Sequence, residues 1–559
     1  MKTGIFIILF LGLFIFSAQA TELNAPNDTT YIFLKDYGLY KTRKKNAIKQ
    51  FYKALDDLKT DQPKILVFST GTYHFYPDGC KTKVYYEANT TNENPKVCAF
   101  HFENIKNLVI DGRGSHLIFH QEMQPFTFDN CQNITLKNMT IDWEQPFIAQ
   151  AEVLRVTEHY MDIGLDPRES PYRIVDGKIF FEIGNGQQNE WNSTLEFDRK
   201  GRFIVPQTGG TPCLGDHWNA YHAEPTMPGI VRLHFSFERK PQIGNYLVMS
   251  HAKASHAGVF IHESENVEVN NLRLYHAVGP GIMANHCKNL IIDRYQAIPN
   301  RSKNRYFSGL AEGLQLSGCI GEVVVKNSTF QGLTSDALVI SNAIINKSTS
   351  ESQAVKELKE NGSHATEVAI KQNTFNSCRG SGIVLTSADK VQIQNNMFET
   401  SGSAVLIAGV SDTERQANGV SDVKVFDNTF NSYCNSSTYS LCEAIISVFP
   451  SIPKINEQSL PYHKNISIQN NRFYPFDIPL IYALSVDGLV FQNNTINKSS
   501  DISPFHDRQY NFSFEYCKNI KVTNNIFSDD IEGKNILLQK TPQNQLNTDL
   551  THTFEIVRY

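Results

Sequence analysis

Glu312 and Asp336 lie 24 residues apart, in Ala311-Glu-Gly-Leu-Gln-Leu-Ser-Gly-Cys319 and Gly332-Leu-Thr-Ser-Asp-Ala-Leu-Val-Ile340. Each stands beside small residues in an otherwise apolar run, an odd place for a mere surface charge. Two carboxyl groups are the minimum for hydrolysing a glycosidic bond: one holds a proton, the other activates water or attacks. Two solvated turn residues are the plainer reading of the same pair. Weaker polar candidates surround them. His276 to His286 runs through a Gly279-Pro-Gly281 turn to Asn285 and His286; Asp142 and Glu144 bracket Trp143; and Asp216-His-Trp218-Asn219 is followed by Tyr221, His222 and Glu224. These residue types stack on sugars or bond to them, but they also serve as satisfied structural groups.

Such a pair needs a repeating frame, and the chain supplies one. An apolar alternation, Asn, a polar or small residue, then Phe or Ile recurs in Val325–Phe330, Ile370–Phe375, Ile393–Phe398, Val425–Phe430, Ile468–Phe473, Val490–Ile496 and Val522–Phe527. Ile134-Thr-Leu-Lys-Asn-Met139 and Val267-Glu-Val-Asn-Asn-Leu272 are earlier variants. A unit of 20–30 residues (Phe375 to Phe398 is 23) fits one coil of a solenoid that hides its apolar faces by stacking. Asn suits the tight turns and can form ladders between coils. Leucine-rich repeats would need LxxLxLxxN periodicity and helical return segments, which are not found. The expected fold is therefore all-β: a right-handed parallel β-helix, a pectate-lyase-like solenoid. On adjacent coils, about 4.8 Å apart, 24 residues bring Glu312 and Asp336 together.

The expected organisation has four parts: 1–20 a signal peptide, 21–146 an N-terminal cap and first coils, 147–250 an inserted domain, and 251–559 the main β-helix. Lys2, the apolar run Gly4–Phe16 and Ala18-Gln19-Ala20 fit a cleaved leader, so a secreted or periplasmic protein without a membrane span is expected. Thr42 to Leu58 has helical apolar spacing and reads as a cap over the first coil. Between Phe147 and Met249 the repeat pauses. Glu152–Val156, Lys178–Glu182, Arg202–Val205 and Val231–Phe237 read there as hairpins of an antiparallel barrel or sandwich.

Composition narrows the partners. The chain has 52 basic and 57 acidic residues and no basic stripe, so nucleic acid is not expected. Ten cysteines include five in one recurring setting (Cys131, Cys287, Cys319, Cys378, Cys517), which reads as a repeated packed position. Cys80/Cys98 and Cys434/Cys442 flank loop-like segments and could oxidise in an exported protein. No CxxC and no His/Cys spacing of a zinc site is found, and neither metal nor other cofactor is expected. The Gly-His-Gly and Arg-x-Lys set of polygalacturonases is missing, as is the acidic cluster of calcium-dependent pectate lyases.

His276–His286, then Ala311-Glu-Gly through Ser317-Gly-Cys319, then Ser335-Asp336-Ala337, resemble glycoside hydrolase family 110. The resemblance covers most of the mature chain and is strongest from His256 to Ile340. It implies a β-helix with inserted barrel material and an exo-acting, inverting α-1,3-galactosidase that takes terminal galactose from a glycan. The family pattern resembles A-D-x-x-H-x-S-G-C followed by D-D-A-x-N-V-H-G. Here Glu312 stands at the first Asp, Gln315 at the His, Ser335-Asp336 at the Asp-Asp pair, and Val339 and Ser341 at the later Asn and His. Glu312 and Asp336 are then the acid/base pair, in either assignment, with Gln315, Ser335, Asn285, His286, Asp142, Glu144 and Trp218 as substrate-binding candidates. Serine cannot exchange protons as a carboxyl does. A β-helix that binds glycan without turnover is the alternative.

Overall fold

The computed structural model describes residues 29–40, 45–85, 95–205, 208, 213–341, 366–386, 388–409, 419–431, 442–450, 455, 461–475, 477–499 and 508–559. The leader segment, Thr42–Lys44 and Cys434 lie outside them.

Alternating apolar residues build coils whose strands pair in parallel with the coils before and after. A 23-stranded sheet and a 14-stranded sheet run the length of the solenoid around one continuous apolar core. Two ladders hold the coils in register. Phe330, Phe375, Phe398, Phe430 and Phe473 stack with ring centroids 4.6–5.2 Å apart. Beside them Asn373, Asn396, Asn428, Asn471, Asn494 and Asn525 form a chain. Each of the first five donates its backbone N–H (2.9 Å) and its amide Nδ2 (3.0–3.1 Å) to the Oδ1 of the next. The residues just before the later members, Asn395, Asp427, Asn470, Asn493 and Asn524, have φ of 54–58°. The doubled Asn of the repeat thus divides the work. One side chain tolerates the left-handed turn, and the other satisfies buried backbone.

The recurring cysteines take one position. Cys131, Cys287, Cys319, Cys378 and Cys517 are buried in the core, each thiol donating to the carbonyl two residues earlier at 3.2–3.7 Å. Cys80 and Cys98 are free thiols.

The cap helix is shorter than its apolar spacing suggests. An α-helix covers Ile48–Ala54 and tightens to a 3-10 turn over Leu55–Leu58. Its Phe51 packs edge-on against Phe100 and Phe102, closing the end of the solenoid.

Six antiparallel strands interrupt the coils: Ile148–Val156, Tyr160–Leu165, Ser193–Phe197, His222–Met227, Ile230–His234 and Tyr246–Ser250, with a three-stranded sheet beside them and a separate core. Among the described residues Arg202–Val205 forms a single bridge, Ile204 to Phe197, after a turn in which Arg202 has φ 58°. Among the described residues no helix is long and apolar enough to cross a membrane.

The barrel grips the solenoid at one loop. Arg305, almost fully buried, donates to Asp142 Oδ1 (2.7 Å), to Glu169 Oε2 (3.1 Å) and to the Trp143 carbonyl (3.3 Å), and Asn300 Nδ2 donates to Asp142 Oδ2 (2.9 Å). Tyr306 stacks on Tyr246 of the barrel at 4.4 Å and lies under the Arg202 guanidinium. His276 ties the same loop to the barrel's entry: its Nε2 accepts the Phe147 N–H (3.0 Å) and its Nδ1 donates to Ser308 O (2.8 Å). Burial pushes the His276 imidazole down to about 3, so it stays neutral in this structural role.

Candidate active site

The clamped loop leads within a few residues into Glu312. Strand Leu314–Ser317 pairs in parallel with strand Leu338–Ser341, Leu314 opposite Leu338. The two residues before each strand continue that register: Gly313 N–H donates to Asp336 O and Leu314 N–H to Ala337 O. Glu312 and Asp336 therefore occupy the same turn position on adjacent coils, as their spacing predicts.

Their surroundings differ. Ser335 Oγ donates to Glu312 Oε1 at 3.1 Å. Asp336 Oδ1 accepts the Ser381 N–H at 2.6 Å, from the coil on the side away from Glu312. Burial, and then the nearby Glu312 charge, push the Asp336 carboxyl up to about 6, against the pull of the Ser381 N–H and the Arg379 cation. One carboxyl thus holds its proton in mildly acidic solution while leaning away from the other.

Gly380 makes room for this. A Cβ there would stand 2.2 Å from Asp336 Oδ1 and 2.7 Å from its backbone nitrogen. Gly380→Ala is expected to turn the carboxyl off Ser381, to cost about 1–3 kcal/mol of stability and to depress turnover, read by denaturant melts and initial rates.

The other candidates are dispersed. Gln315 is buried on strand Leu314–Ser317, three residues from Glu312, between Met283 and Val339 of the neighbouring coils. Asn285 ends strand Ile282–Asn285, with His286 next, at the strand end remote from Glu312. Asp142 is held by Arg305 and Asn300, and Glu144 donates its backbone N–H to Phe119 O. Trp218 packs against Trp191 and Tyr221 on the barrel core. The charges acting on Asp336 are those of Glu312 and Arg379. Arg379, Gly380 and Ser381 went unread in the sequence. Their one signal is the Cys378 that precedes them in the recurring cysteine setting.

A carboxyl pair on the turns of a parallel β-helix, with a barrel docked against the loop that precedes it, is an arrangement that a carbohydrate-active β-helix enzyme can use. Residues 149–247 match the family model described as GLAA-B beta-barrel domain I, and residues 257–430 match that of the right-handed beta helix region. An α-1,3-galactosidase B of Bacteroides thetaiotaomicron is 33% identical over 94% of this chain and 95% of its own. An α-1,3-galactosidase A of Bacteroides fragilis is 26% identical over 98% of this chain and 100% of its own. Among solved structures, the A-module of an Azotobacter vinelandii mannuronan C-5 epimerase superposes with a TM-score of 0.43 at 8% identity, covering 94% of this chain and 99% of that one. The chain belongs to the α-1,3-galactosidase family, glycoside hydrolase family 110.

Proposed function

We propose that the protein is an exported, exo-acting hydrolase that releases terminal α-1,3-linked galactose from glycans with inversion. The observation that carries this reading is the unequal carboxyl pair: Asp336 is held protonated up to about 6, and Glu312 lies beside it on the stacked turn. Asp336 is the general acid to the glycosidic oxygen. Glu312, oriented by the Ser335 hydroxyl, takes a proton from the water that attacks C1 on the opposite face. Inversion needs carboxyls about 6.5–9.5 Å apart, more than the strand spacing. The lean of Asp336 toward Ser381, away from the Glu312 coil, widens the gap in that direction. Gln315 and Ser335, next to the pair, are the proposed sugar contacts; Asn285 and His286 stand at the far strand end, Asp142 is engaged by Arg305 and Asn300, Glu144 follows it, and Trp218 packs on the barrel core. The leader Met1–Ala20 would carry the chain out of the cytoplasm.

The test is galactose release from α-1,3-galactosyl oligosaccharides, with the first-formed anomer followed by proton NMR. β-Galactose appearing first supports inversion; α-galactose first overturns it. Because the acid must be protonated, kcat/KM is expected to fall as pH rises through about 6, and a rate that instead climbs there reverses the assignment. The replacement of one family carboxylate by Ser335 favours a second reading, a glycan-binding relative without turnover. Binding without release across a panel of terminal sugars establishes it.

A further inference from the structure

The 14-stranded sheet carries a polar group that the acid/base pair does not use. His262 ends strand Val259–His262 and pairs with Asn285 on the next coil, so Glu263 and His286 occupy equivalent turn positions. Both have left-handed backbone, at φ 47° and 54°. The two coils before place Asn104 and Asn130 there, and the coil after places Gly318, residues suited to that conformation. Glu263 and His286 depart from that preference toward side chains with metal-binding atoms.

Those atoms converge. His262 Nε2 lies 3.8 Å from Glu263 Oε1, and one ligand atom from each of His262, Glu263 and His286 falls within 4.8 Å of the others. Glu263 Oε1 and His286 Nε2 are both buried without a hydrogen-bond partner, and His286 as a whole is 4% exposed. Burying a polar atom unpaired is unfavourable, and one cation satisfies both of these. His262 is prepared for the same role. Its Nδ1 meets Asp129 Oδ1 at 3.0 Å, which leaves the Nε2 lone pair outward, and Asp129 is itself held by Lys83 and by the Tyr85 hydroxyl (3.0 Å).

We propose that His262, Glu263 and His286 bind one divalent transition-metal ion of the zinc class, with Asp129 orienting His262. Ligand atoms around tetrahedral zinc stand roughly 3.4 Å apart, given bonds of about 2.0–2.1 Å, so small side-chain rotations close the site. Two imidazoles and a carboxylate suit zinc, copper or nickel rather than calcium or magnesium. An open groove of about 570 Å³, lined by Glu263, His286, Glu103, Asp129 and Glu265 and also by Lys83, Lys106 and Lys288, gives the ion a way in. The site lies toward the C-terminal ends of these strands and the acid/base pair before their start, on the order of 15 Å along the strand direction. The ion joins the His262 coil to the His286 coil.

The full-length protein, stripped with EDTA and returned to zinc sulfate, is expected to retain one zinc per chain by elemental analysis and to melt at a higher temperature with zinc. Glu263→Gln and His286→Gln each lose a ligand and are expected to abolish stoichiometric zinc. Asp129→Asn keeps all three ligands and is expected to weaken zinc about 10–100-fold. Wild type that retains no zinc overturns the proposal. So does undiminished affinity in folded Glu263→Gln and His286→Gln variants. If those variants do not fold, zinc-edge absorption spectra of the wild type decide: imidazole scattering from two histidines supports the site, and an all-oxygen shell overturns it.

Discussion

Asp336→Asn is expected to lower kcat/KM on an α-1,3-galactosyl substrate by roughly 100- to 10,000-fold, the range that a positioned general acid contributes. The amide still accepts the Ser381 N–H, so the turn keeps its geometry and the loss reports the proton. Glu312→Gln likewise keeps an acceptor for the Ser335 hydroxyl and is expected to lose activity on the same scale. The acid variant carries a second signature. The folded Asp336 pKa, about 6, lies above the ordinary 3.8, so the folded chain holds this proton more tightly than the unfolded chain. The resulting stabilisation is complete below about pH 4 and is lost as pH rises through 6. Above that, a charged Asp336 opposes folding. Asp336→Asn is therefore expected to stabilise the protein by on the order of 1–3 kcal/mol at pH 8 and to do nothing of the kind at pH 4. A variant less stable than wild type at pH 8 would show that the charge is not held against its environment. Gain in stability with loss of rate is what a tuned catalytic carboxyl predicts and a surface turn residue does not.

Arg305→Met is expected to cost about 3–5 kcal/mol, because it leaves Asp142 buried without its cation. Part of that loss should return in the Asp142→Asn, Arg305→Met double variant, where no buried charge is stranded. Thermal or urea melts of the four proteins measure the cycle, and strict additivity would show that the pair is not coupled. The loop from Asn300 to Leu310 also delivers Glu312, and Arg305 and Tyr306 pin it to the barrel. Arg305→Met is thus expected to reduce turnover as well as stability, although Arg305 touches neither carboxyl. The insertion then has a physical role, which is to fix the loop that precedes the pair.

The frame was readable in the chain because each of its signals is local. The Asn-Asn-x-Phe unit states in a few residues which side chain turns the backbone, which ladders and which stacks, and the next coil repeats it. Pairing register in a parallel stack follows from that repetition, since a slip by one residue would turn Phe398 and Ile393 outward. A spacing of 24 residues therefore sufficed to bring Glu312 beside Asp336.

Contacts that cross loops of irregular length had no such signal. Ser381 and Gly380 reach Asp336 from 45 and 44 residues away, and Arg305 reaches Asp142 across 163. Asp129 and His262 are separated by the whole barrel, so no short spacing could expose a histidine–carboxylate cluster that the coils assemble only on stacking. The sequence by itself determined the coil, its ladders and the alignment of the two carboxyls, because period and pattern are properties of neighbouring residues. Only the tertiary structure decided which carboxyl is desolvated and which side chains share a turn, because burial and charge depend on whatever the fold brings alongside.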